Sequence, residues 1–141
     1  MEFYECKVKY QRNGINGEPQ TKTEIYLVEA VSFADAEQHT LEEIKPFILG
    51  GQEVEMKSIR KMVINELLPN DQGLFWYKAK IEYQSVDPDS GKEKKVSVIW
   101  LIQEASMENA YKVAKDGMDK SDVDYTIKTL QVTGIVDVLR V

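Results

Sequence analysis

One stretch of this chain occurs twice. YLVEAVSFADAE, Tyr26 to Glu37, lies on WLIQEASMENAY, Trp100 to Tyr111, when the sequence is shifted by 74 positions. Leu27 falls on Leu101, Ser32 on Ser106 and Ala36 on Ala110, while Tyr26 meets Trp100, Val28 meets Ile102 and Phe33 meets Met107. Self-similarity at a fixed period constrains architecture before any single residue is interpreted. It implies a duplicated unit of about 65 to 70 residues within the 141 of the chain. A unit that small buries too little of its surface to be comfortably stable alone. We therefore expect the two to pack as one compact body around a joint core.

The repeats align beyond that stretch. Phe3 to Gln11 alternates, with Tyr4, Cys6, Val8 and Tyr10 on one face, and Tyr77, Ala79, Ile81 and Tyr83 repeat the pattern. Period-2 alternation rich in aromatic and β-branched residues predicts a strand with one wet face. Asn13-Gly14 and Asn16-Gly17 in one copy, and Asp87 to Gly91 in the other, supply residues that tolerate positive φ, so both are read as hairpin tips. The second strands, about Thr21 to Ala30 and Lys95 to Glu104, are apolar at consecutive positions and so must be covered on both faces.

Ser32 and Ser106 then read as helix N-caps. Phe33, Ala36, Thr40 and Ile44, and in the copy Met107, Ala110, Ala114 and Met118, form one buried stripe per helix. Pro46 ends the first helix near Lys45. Third strands carry Val54, Met56 and Ile59, matched at an offset of 71 by Tyr125, Ile127 and Leu130. After each comes a further apolar piece, Met62 to Leu68 and Ile135 to Leu139, read as a bulged continuation or a short fourth strand. The predicted fold is α+β: a tandem duplication of a β-β-α-β unit, with mainly antiparallel sheets of order 2-1-3 and one helix each. The repeats divide as 1–68 and 76–141, joined by a linker over 69–75.

The net charge of −6 opposes a phosphate backbone unless lysines gather on one face. A single cysteine, Cys6, allows no internal disulfide. The opening MEFYECKVKY has no secretory pattern, and no apolar run reaches the ~18 residues of a membrane span. We expect a cytoplasmic protein without membrane attachment.

Motifs with chemistry are scarce. Cys6 falls on the apolar face of the first strand and reads as a small core residue, because a reactive thiol needs exposure and a nearby positive charge. His39, the sole histidine, sits on a helix where the copy has Val113, and one His with one Cys cannot supply a zinc site. Asp87-x-Asp89-x-Gly91 places its glycine one position too early for an EF-hand loop, and the run Asp116 to Asp124 has no glycine after its carboxylates. No phosphate-binding glycine motif or nucleophile elbow is present. We expect no enzyme, no cofactor and no metal.

Two sets of residues point instead to partners. Tyr26 and Trp100, equivalent aromatics on the second strands, either fill the seam between the units or form a partner-binding patch, since aromatics are enriched at interface cores, and Trp76 is a further partner-binding candidate. Lys92, Lys94 and Lys95 flank the second hairpin tip, and Lys78 and Lys80 lie on the adjoining strand. Beside Trp76 and Tyr77 they would suit a nucleic-acid strand; lysines also protect sheet edges from unwanted pairing.

Phe3 to Tyr10, Tyr26 to Ala30, Lys45-Pro46-Phe47, Trp76-Tyr77-Lys78 and Ser90 to Lys95 give the chain its family likeness. On these stretches it resembles a family of small uncharacterised proteins of Bacteroides-type bacteria and their mobile elements, catalogued as a domain of unknown function. The resemblance implies a cytoplasmic bacterial protein and carries no catalytic or binding residues. The expected function is a non-enzymatic interaction or adaptor module that binds a protein or a second copy of itself. The alternative is single-stranded or duplex nucleic-acid binding through the lysine hairpin.

Overall fold

The structure, a computed structural model, describes residues 1–140. In chain order its elements are β1 (Glu2–Asn13), β2 (Pro19–Ala30), α1 (Phe33–Ile44), β3 (Glu55–Met62), β4 (Glu66–Leu68), β5 (Phe75–Val86), β6 (Glu93–Glu104), α2 (Met107–Asp119), β7 (Tyr125–Val132) and β8 (Ile135–Leu139). They build two four-stranded sheets, β3-β1-β2-β8 and β4-β6-β5-β7. Within each, the first two strands form an antiparallel hairpin and the third strand pairs antiparallel to the first. This is the 2-1-3 order expected of each repeat, and the two halves match as a tandem duplication requires.

The fourth strands depart from simple tandem order. β4 follows β3 in the chain but runs parallel to β6, and β8 follows β7 but runs parallel to β2. Each short strand therefore completes the sheet of the other repeat. In space the chain divides into Met1–Val63 with Gly134–Val141, here unit 1, and Ile64–Thr133, unit 2. These boundaries differ from the repeat boundaries at 1–68 and 76–141 because of that exchange. A short apolar piece carries no mark of which sheet it joins, whereas an unpaired edge on β2 or β6 accepts any parallel strand the chain can bring to it.

Each unit buries a cluster of its own. In unit 1, Tyr4, Cys6, Val8 and Tyr10 of β1 meet Tyr26, Val28 and Ala30 of β2 and Ala36 and Ile44 of α1. In unit 2, Tyr77, Ala79 and Ile81 meet Ile102, Ala110, Ala114 and Met118. Full burial of a Leu- or Ile-sized side chain favours folding by ~1.5–3 kcal/mol, so alternation along β1 and β5 decides which sheet face receives the helix. Leu27 and Leu101, on the opposite face, are buried as well.

Both serines cap their helices. Ser32 Oγ accepts from the Asp35 amide and Ser106 Oγ from the Asn109 amide, each at 3.1 Å. Asp35 returns a bond by accepting from the Val31 amide at 3.0 Å. The stripes are buried except at their first positions: Phe33 and Met107 stay half exposed, and Phe33 meets the Tyr4 ring edge-on with centroids 5.0 Å apart. The first turn of each helix overhangs the sheet, so its inward side chain is only partly covered.

Each outer strand, β3 and β7, carries one bulge. The pairing skips Lys57 between Met56 and Ser58, and Lys128 between Ile127 and Thr129. An extra residue shifts the alternation by one, which lets Met56 and Ile59, and likewise Ile127 and Leu130, face the same core despite their spacing.

Candidate functional site

The hairpin and helix of each repeat converge at the far end of the second strand, and there the copies differ. In unit 1 the place is filled by a polar network. The hydroxyls of Tyr10 and Tyr26 both donate to the Glu24 carboxylate, the Tyr26 bond at 3.2 Å. Arg12 closes the network, with Nη1 3.8 Å from Glu24 Oε2 and 3.5 Å from the Tyr10 hydroxyl, and its guanidinium carbon 4.7 Å from the centre of the Phe47 ring. Phe47 is held there by the 3-10 turn Lys45–Phe47 after α1. Burial, and then the Glu24 charge, push the Tyr10 and Tyr26 phenols above their ordinary range, so both stay neutral donors.

In unit 2 the equivalents of Tyr10, Arg12, Glu24 and Tyr26 are Tyr83, Ser85, Val98 and Trp100. The charged network is gone. The stretch from the helix cap to the third-strand bulge, Ser106 to Lys128 against Ser32 to Lys57, is three residues shorter, which is why the repeat offset falls from 74 to 71, and the connection within it brings no ring like Phe47. What remains is a cleft of about 310 Å³ walled by Tyr83, Val98, Trp100, Met118 and Val123, with Asn65, Glu66 and Ser121 at its polar side. Trp100 lies flat on α2 at Gly117, where a Cβ would come within 2.8 Å of two ring atoms. Asn65 anchors the strand entering β4: its amide donates to the Ile99 carbonyl at 2.8 Å and its side chain accepts from the Ile99 amide at 2.7 Å.

The residues singled out from the sequence are dispersed by this geometry. Tyr26 and Trp76 are each 5% exposed, so neither is displayed as a partner patch. Trp100 is partly buried against the core of its own unit. The consecutive apolar positions of the second strands left two faces open for these rings, and the helix face took both Tyr26 and Trp100. Trp76 alternates with Tyr77 and so falls on the helix-free face, where its carbonyl accepts from the Thr133 amide and hydroxyl at 2.8 Å.

The lysines divide in the same way. Lys78, Lys80 and Lys95 share the helix-free face of the sheet in unit 2, with Lys95 3.8 Å from Glu82, while Lys94 points to the helix side and Lys92 lies in the turn. Cys6 is fully buried, and that burial pushes its thiol up, away from reactivity. His39 Nε2 is 3.1 Å from Asp35 Oδ1, beside a cleft of about 440 Å³ that Glu42, Glu43, Asp137 and Arg140 also line. Asp87 uses its carboxylate to hold its own turn, accepting from the Asp89 amide at 2.9 Å, and these backbone bonds draw its pKa down. In the run from Asp116 to Asp124, Asp119 is held by Lys115 at 2.9 Å and by the Tyr125 hydroxyl at 2.5 Å. Among the described residues no group of three or more His, Cys, Asp or Glu side chains is placed to hold a metal ion, and no helix is long and apolar enough to cross a membrane.

Fold and site define a duplicated α+β protein with exchanged fourth strands and one diverged site, filled in unit 1 and open as a cleft in unit 2. Residues 2–141 match DUF4494, a domain of unknown function, and the chain belongs to that family. No curated protein and no solved structure gives a significant match.

Proposed function

We propose that this protein is a non-enzymatic interaction module that takes a partner strand along the outer edge of β7. The observation that carries the reading is a difference between two equivalent edges. Beyond the bulge, β3 reads Ser58-Ile59-Arg60-Lys61, and its cations are tied to β1: Arg60 to Glu5 at 2.5 Å and Lys61 to Glu2 at 2.6 Å. The same segment of β7 is Thr129-Leu130-Gln131-Val132, with no charge, and Val132 is 54% exposed. Charged side chains and bulges are usual defences of an outer strand; β7 keeps the bulge at Lys128, but the uncharged segment beyond it supports addition of a further strand through main-chain hydrogen bonds. The partner is a protein segment or a second copy of this chain.

The test is to give β7 the charges of β3, as Gln131→Arg with Val132→Lys. Complex formation by the wild type, followed by sedimentation over a range of concentrations and by affinity capture, is expected to fall at least tenfold in the variant while its circular dichroism is unchanged. Full retention of complexes by the variant, or no complex with the wild type by either measurement, contradicts the reading.

A second reading, nucleic-acid binding, is favoured by the shared face of Lys78, Lys80 and Lys95. It predicts affinity for single strands that falls steeply with salt and weakens on Lys78→Ala with Lys80→Ala, measured by fluorescence anisotropy. No shift at low salt removes it. The setting proposed with either reading is the cytoplasm of a Bacteroides-type bacterium, which rests on the motif resemblance alone.

A further inference from the structure

We infer that the cleft of unit 2 binds a guanidinium-bearing ligand supplied by another molecule, in the place where unit 1 seats its own Arg12. The inference is independent of strand addition at β7. In unit 1, Arg12 lies against the Phe47 ring, the Tyr10 hydroxyl and the Glu24 carboxylate. A guanidinium stacks on aromatic faces while its N–H groups bond a carboxylate, so an aromatic wall with one acid nearby is the environment it takes. Duplication placed the same scaffold in unit 2, and two changes opened it. Ser85 stands where Arg12 would reach in, and the shortened connection after α2 brings no ring to cover the site.

What unit 2 keeps is suited to the same chemistry. Tyr83 and Trp100 supply aromatic surface, and Met118 and Val123 complete the apolar wall. The carboxylate lost at Val98 is matched by Glu66, which β4 brings in beside Trp100 through their pairing in register. No lysine or arginine is among the described lining residues, and Asp122 and Asp124, both exposed, flank Val123 in the chain. The lining thus offers rings and a carboxylate with no cation among its residues, and the nearest lysine on this face by strand register, Lys94 opposite Ser85, stands outside the lining. At about 310 Å³ the cleft is near the lower end of the volumes small ligands occupy, ~300–1,000 Å³, which matches one side-chain-sized group.

The test uses the full chain, with blocked arginine amide as probe and the isosteric, uncharged blocked citrulline amide as control, followed by the Trp100 indole N–H resonance. The expected result is a saturable shift with the arginine probe, at least tenfold weaker with citrulline. Methylguanidinium shows whether the head group suffices: a saturable shift supports recognition of any small guanidinium, and a shift only with the arginine amide supports recognition of an arginine side chain. Glu66→Gln is expected to weaken binding severalfold. Ser85→Arg, which restores the internal cation at an accommodating hairpin position, is expected to abolish it. Equal response to citrulline, no saturable shift with either guanidinium probe, or binding unaffected by Ser85→Arg overturns the inference.

Discussion

Glu24 holds two buried tyrosine hydroxyls with a single carboxylate, and that arrangement makes unit 1 sensitive to alkaline pH. The phenols of Tyr10 and Tyr26 are raised above the ordinary tyrosine value, first by burial and then by Glu24. A group that holds its proton more tightly when folded stabilises the protein fully below its unfolded pKa, ~10 for tyrosine, and loses that contribution as pH rises through the folded value. Tyr26→Phe should therefore cost ~1 kcal/mol at neutral pH, the usual net worth of one hydrogen bond, yet flatten the decline in stability above pH ~10. Denaturant unfolding followed at neutral and alkaline pH checks both parts, and an unchanged alkaline slope contradicts the assignment. None of this network was legible in the sequence. Tyr10, Arg12 and Glu24 lie on two strands at positions that alternation alone assigns to opposite fates, since a charged residue at an inward position reads as an interruption. The substitution of Arg12 by Ser85 between repeats was the available signal.

The elements themselves were more readable. Alternation along β1 and β5 located their buried faces, and the paired glycine turns located both hairpins, because each rests on a local rule that holds without tertiary context. The caps were equally local. Ser106→Ala should lower stability by ~1 kcal/mol in urea unfolding while Ser106→Asp retains it, since either a hydroxyl or a carboxylate accepts from the Asn109 amide. Loss of stability in both variants would contradict a capping role. Spacing in the third strands was harder to interpret, because a step of two from Val54 to Met56 followed by a step of three to Ile59 breaks strand alternation until the bulge at Lys57 is placed. A bulge depends on pairing with β1, which no local window contains. The surroundings of Tyr26 and Trp100 were hard to read for a related reason: a strand apolar on consecutive residues does not say which face the helix covers.

At the scale of the whole molecule, the duplication was written plainly in the chain but the exchange of fourth strands was not. β4 and β8 are short, and their pairing partners β6 and β2 are set by where the connections lead rather than by any side-chain pattern. The exchange makes the last residues of the chain part of the first sheet: β8 pairs with Ile25 to Val28 and lays Leu139 against the core of unit 1. Removing residues 135–141 tests this most directly, with amide hydrogen exchange as the readout. The account predicts faster exchange in unit 1, centred on Ile25 to Val28, with protection of the β5–β6 hairpin kept. Lost protection along Tyr125 to Val132 and the β5–β6 hairpin, with β2 unaffected, would contradict it, because that is the pattern of a last strand belonging to its own repeat.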